Sequence, residues 1–249
     1  MEYRDPFATA QYGAQSRAVA YDAGLRAYML KIYNYMASAL ALTGIVALGA
    51  SKSEAVLSAL YTVQNGQIAG MSGLGWIVAL APIGLVLWLG FGINRLSTTA
   101  AQGIFWAYAA LVGLSLTSIF LLYTGESIAR TFFVTAGTFG AMSIYGYTTK
   151  RDLTGMGQFL IMGLIGLIIA SIVNMFMQSS ALGFATSVIG VLIFVGLTAY
   201  DTQKLKGMYY QVAGNSEALA KASIMGALNL YMDFINIFIY LLRFMGDRR

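Results

Sequence analysis

GALNLYMDFINIFIYLLRFMG, residues 226–246, is an apolar run with one carboxylate near its middle. The full run, 224–245, reaches about 33 Å at ~1.5 Å per residue, enough to cross a hydrocarbon core about 30 Å thick. Backbone N–H and C=O groups find no water in that core, so such a run is a helix. Steps of three and four residues put Gly226, Asn229, Asp233, Asn236, Tyr240 and Arg243 on one face, while Leu, Ile, Phe and Met fill most other positions. A carboxylate inside a span costs at least ~2.5–3.5 kcal/mol on insertion scales, so Asp233 reads as a functional residue turned toward the bundle interior or a water-filled path. Asn229 and Asn236, taken alone, read as hydrogen-bonding glue between helices.

Working outward, six further apolar runs stand at 28–50, 74–93, 103–123, 131–148, 157–177 and 181–203. The chain is thus expected to be an all-α membrane protein, a seven-transmembrane helix bundle over residues 28–249 behind a polar tail, 1–27. That tail has no apolar core of the kind a cleaved signal peptide carries. The connections 124–130, 149–156 and 178–180 are short and imply antiparallel neighbours. The longest, 51–73, reads as a loop outside the bilayer.

Composition agrees. Of 249 residues, 58% are hydrophobic and 10% charged, and the mean hydropathy is +0.70, too little polar surface to face water all round. With no Cys and no His, disulfides, the usual zinc sites and a Ser-His-Asp triad are excluded. No cofactor is expected. The net charge of +5 reads as orientation of the helices, with the lipid bilayer as the partner and no nucleic acid. With the N-terminus cytoplasmic, inside segments carry ten Lys and Arg. Outside segments carry two, apart from Arg243, Arg248 and Arg249 near the end. An odd number of spans then puts the C-terminus outside.

Of the ten acidic residues, eight fall in termini or loops. The other two are Asp233 and Asp201, in AYDTQ (199–203) at the expected cytoplasmic end of the sixth span. Asp201 has Thr198 one turn back and Lys204 one turn on, so an interfacial ion pair is one reading of it. A pair of aspartates on consecutive antiparallel helices supports another. Two carboxylates in a low-dielectric site cannot both ionise cheaply and titrate as a unit around a shared proton. The shared-proton arrangement is favoured at low pH and lost as pH rises, leaving like charges that repel. Two ionised carboxylates offer hard oxygen ligands to a divalent cation, but too few for a tight site. Waters and Thr198 or Asn229 would complete a weak, transient one.

Three segments, LRAYMLKIYNYMASALALTG (25–44), AYDTQ (199–203) and GALNLYMDFINIFIYLLRFMG (226–246), together resemble the transmembrane Bax inhibitor motif family in its bacterial form. The resemblance implies a seven-helix fold with the C-terminal helix central, a multi-pass place in the bacterial inner membrane, and a pH-sensitive calcium leak channel gated by a pair of aspartates. The matching positions are Asp201 and Asp233, with Asn229, Asn236, Thr198 and Tyr240 as candidates for the polar path. The family pattern also carries an arginine on the second helix that can latch one aspartate. Arg95, at the end of that span, is the candidate here. Bacterial relatives are also linked to a membrane-anchored AAA protease, which gives a rival role as a membrane regulator that binds such a partner.

An enzyme is not expected. A diaspartyl intramembrane protease also places aspartates on its sixth and seventh helices, and Tyr200-Asp201 fits its YD motif. However, Asp233 is preceded by Leu230, Tyr231 and Met232 where a GxGD motif belongs. A retinal protein would need a lysine in 224–245, and there is none.

Overall fold

The computed structural model describes residues 6–64 and 67–249. In order, the chain forms α1 (Pro6–Ser51), α2 (Glu54–Leu60), β1 (Tyr61–Gln64), β2 (Gln67–Met71), α3 (Gly73–Gly92), α4 (Thr98–Ser115), α5 (Thr117–Leu122), α6 (Gly125–Thr148), α7 (Thr154–Met177), α8 (Ser180–Val212) and α9 (Ser216–Met245). Helix starts are set by side chains that accept the orphan N–H groups of the first turn. Ser72, Ser97, Thr124 and Ser179 each accept one such bond, and Asn215 accepts from both Glu217 and Ala218. These caps let long helices follow one another across very short turns.

Six stretches are long and apolar enough to cross a membrane: Asp22–Ser51, Gly73–Gly92, Thr98–Leu122, Thr154–Met177, Ser180–Val212 and Ser216–Met245. Their outward faces carry the large apolar side chains. On α3, Trp76, Ile77, Leu80, Ile83, Trp88 and Phe91 are exposed, and on α7 so are Phe159, Met162, Ile165, Ile169 and Phe176. In water such a surface would aggregate, so its solvent is lipid. The protein is a helical membrane protein.

The inside is built on close approach and hydroxyl bonds, because lipid tails supply no hydrophobic drive between helices. α9 packs against α1, α4, α6 and α8. At Gly146 of α6, an added Cβ would run into the backbone of Ala199 on α8, so only glycine permits that contact. Tyr231 of α9 is fully buried. Its hydroxyl bonds Thr43 Oγ1 at 2.7 Å, and that Oγ1 donates to the Ala109 carbonyl at 2.8 Å, tying α9, α1 and α4 together.

Four expectations change. Segment 51–73 is not a plain loop but a short helix and a two-stranded antiparallel hairpin, with Tyr61 opposite Met71. The Ser72 hydroxyl donates to the Ala59 carbonyl and its N–H to Leu60, closing the unit onto α3. The expected tail 1–27 is helical from Pro6, and Leu25 is already buried; residues 1–5 lie outside the described residues. α8 runs nine residues past 203, because Leu205 and Tyr209 still bury against neighbours. Finally, α6 is not among the six most apolar stretches. Its inward face, Ser127, Thr131, Thr135, Phe139 and Ser143, carries four hydroxyls and one aromatic ring spaced by whole turns.

Candidate functional site: an aspartate pair between the last two helices

α8 and α9 are joined by a three-residue turn, Ala213–Asn215, and run antiparallel side by side. Two contacts fix their register. Gly190 of α8 leaves room for the Tyr240 ring, and Gly226 of α9 receives Leu205. This brings Asn229 level with Asp201 and Asp233 level with Leu197 and Thr198, so the aspartates face each other diagonally, one turn apart. Their carboxyl groups are near enough for each to feel the other's charge. Asp201 therefore sits eleven residues inside the C-terminal end of α8, well within the helix and not at its tip.

Asp233 is 4% exposed, and its Oδ2 is a buried oxygen with no hydrogen-bond partner in the protein. No cation neutralises it. The ion pairs of the described residues are Arg130 with Asp247 and Lys221 with Glu217. The Lys204 ammonium is close enough to act on Asp201, yet it lies over the Tyr200 ring, 5.8 Å from the centroid, and forms no ion pair with the carboxylate. Two negative charges buried side by side would be costly, and a single proton would relieve them.

The other candidates divide. Thr198 is fully buried beside the pair, but its hydroxyl donates to the Phe194 carbonyl at 2.8 Å. Asn236 likewise spends its Nδ2 on the Met232 carbonyl at 2.8 Å. Asn229 is half-buried at the level of Asp201. Tyr240 stacks on Phe194, centroids 6.0 Å apart, and the Arg243 guanidinium carbon lies 5.8 Å from the Tyr240 ring centroid. Arg95 does not join the pair. It is exposed in the turn between α3 and α4, which ends the helix at Gly92 and carries the side chain outward, so no latch forms here.

The sequence reading missed a chain of hydroxyls on the far side of α8. Tyr33 Oη contacts Ser143 Oγ at 2.5 Å, and Ser143 Oγ contacts Thr202 Oγ1 at 3.0 Å. The whole-turn spacing of Ser127, Thr131, Thr135 and Ser143 was the available signal. No third His, Cys, Asp or Glu gathers with the aspartates among the described residues. A cation between them would be completed by water and by neutral oxygens such as Asn229 Oδ1.

Residues 25–249 match the family model described as "Inhibitor of apoptosis-promoting Bax1". The chain is 50% identical over 228 residues to the Inner membrane protein YbhL of Escherichia coli, covering 91% of this chain and 94% of that one. It is 53% identical over 234 residues to an uncharacterized protein of Rickettsia prowazekii, covering 94% and 95%. A third relative, an uncharacterized protein of Caulobacter vibrioides, is 51% identical over 228 residues, covering 92% and 91%. With its helices, its lipid-facing surface and this match over nine-tenths of its length, the chain belongs to the Bax inhibitor-like family of membrane proteins.

Proposed function

We propose that this protein is a pH-sensitive calcium leak channel whose gate is the Asp201–Asp233 pair. The observation that carries this reading is the Asp233 carboxylate, buried inside a span against a second carboxylate, without a cation and with one oxygen unpartnered. A purely structural polar contact would be served by an amide. A shared proton holds α8 and α9 together at low pH. Its loss as pH rises leaves two charges that push apart and present oxygens to a divalent cation. The resulting site is weak, as conduction requires.

In this reading α6 is the seventh span, its hydroxyl face turned to α8 and α9, and α9 is the central helix. The protein sits in the bacterial inner membrane, as the name of its Escherichia coli relative suggests, with the N-terminus cytoplasmic and the C-terminus outside. The stack of Tyr240 on Phe194 lies beyond Asp233 toward the C-terminal end of α9 and must shift for an ion to pass. The protein catalyses no reaction in this account.

The test is calcium entry into dye-loaded liposomes holding only the purified protein. Flux should appear and rise with pH, and Asp233→Asn should change it. Absence of flux from the unmodified protein would remove the channel and favour a regulator that binds a membrane-anchored AAA protease.

A further inference from the structure

At the other end of α8 and α9 lies a cavity of about 790 Å³, bounded by α5, the α7–α8 turn and the segment that follows α9. Two guanidinium groups, Arg243 and Arg248, reach its lining, and no carboxylate side chain does. Neither arginine is in an ion pair among the described residues. The one acid nearby in sequence, Asp247, is turned away and bonded to Arg130 at 2.7 Å.

Arg248 is not a loose side chain on a frayed end. Residues 246–249 are clamped onto the start of α6. Thr124 N–H donates to the Asp247 carbonyl at 3.1 Å, Asp247 N–H to Ser127 Oγ at 2.9 Å, and Arg249 N–H to the Leu122 carbonyl at 3.0 Å. Arg130 adds a bond to the Met245 carbonyl at 3.3 Å. This clamp lays Arg248 across the Tyr123 ring, 5.8 Å from its centroid, just as Arg243 lies over Tyr240. Aromatic rings under both groups hold the guanidinium planes and leave their N–H edges for a ligand. The first turn of α8, capped by Ser179, adds its own N–H groups and positive end at Ser180.

We propose that this cavity is a binding site for a phosphate-type oxyanion, held by Arg243 and Arg248. Guanidinium forks match phosphate oxygens in pairs, and two of them without a carboxylate leave the cavity in need of negative charge. The source is either a free phosphate or the headgroup of an anionic lipid. Phe184 and Phe244, exposed and paired at the cavity wall with centroids 5.5 Å apart, would lie along the acyl chains of the latter.

Calorimetric titration of the full chain in an uncharged detergent tests the site, with inorganic phosphate and dihexanoylphosphatidylglycerol as probes. Saturable binding of at least one probe is expected, and Arg243→Gln with Arg248→Gln should weaken it about tenfold or more. Removing two charges at the opposite end, by Lys150→Gln with Arg151→Gln, should leave it unchanged. Binding of the lipid without phosphate assigns the site to a headgroup, and binding of phosphate assigns it to a free anion. If the double exchange does not fold, Arg248→Gln alone should still weaken binding. No saturable binding of either probe, or equal weakening by the control pair, would overturn the proposal.

Discussion

Asp233 and Arg243 stand ten residues apart on α9, and their surroundings differ in every respect that bears on a charge. Asp233 is sealed between helices, beside another acid, with an oxygen left unpartnered. Arg243 opens into a cavity wide enough for solvent, beside another base, braced on an aromatic ring. A sealed charge can be relieved only by a proton or by parting the helices, which is why the first site is proposed as a switch. An open charge is relieved by whatever anion diffuses in, which is why the second is proposed as a receptor.

The largest contrast should appear in access. The chain has no cysteine, so single cysteines report cleanly. Ser171→Cys, on the cavity wall, should react to completion with a water-soluble thiol reagent at low pH, and Thr198→Cys, beside the aspartates, should not react. Labelling of both would break the contrast, because it would mean that water already reaches the pair in the closed state.

Next comes stability. Asp233→Lys puts a longer side chain at a position only 4% exposed between packed helices, where pairing with Asp201 would require its neighbours to move. Unfolding in detergent should show a loss of about 3 kcal/mol or more. Arg248→Glu, in the open cavity, should leave the unfolding midpoint nearly where it was. Comparable losses would mean that the cavity is as structural as the pair.

A smaller effect separates the buried polar groups that hold the helices from those that switch. Tyr231→Phe removes one hydroxyl while Thr43 keeps its bond to Ala109, so stability should fall by about 0.6–1 kcal/mol. The pH dependence of flux should not change. A changed pH profile would extend the switch beyond the aspartates.

How far the sequence could be read follows the same division. The seven apolar runs mark where helices lie, since membrane thickness acts on one dimension of the chain, and each run coincides with a helix or helix pair. Asp201 and Asp233 could be singled out because a charge within an apolar run is rare. Their contact could not be derived from spacing alone, for it depends on the register that Gly190 and Gly226 allow. Arg95 misled because its place at the end of a span says nothing of its direction. Arg243 was read only as part of the polar face of the last helix, and Arg248 only as part of a basic tail set apart from the orienting charges. Their role at the cavity arises from the clamp between residues 246–249 and the start of α6, more than a hundred residues away in sequence.

The central claim is that the two aspartates act as one titrating unit, and a pH series on four proteins in calcium-dye liposomes tests it most directly. The four are the unmodified chain, Asp201→Asn, Asp233→Asn and the double exchange. If one proton is shared, either single exchange should abolish most of the pH dependence of flux, and the double should match the flatter single. The two singles need not conduct equally, since Asp233 alone stays sealed while Asp201 alone keeps Lys204 nearby. Independent, additive shifts from the two exchanges would contradict the account, for they would mean that the carboxyl groups titrate separately and that no shared proton closes the gate.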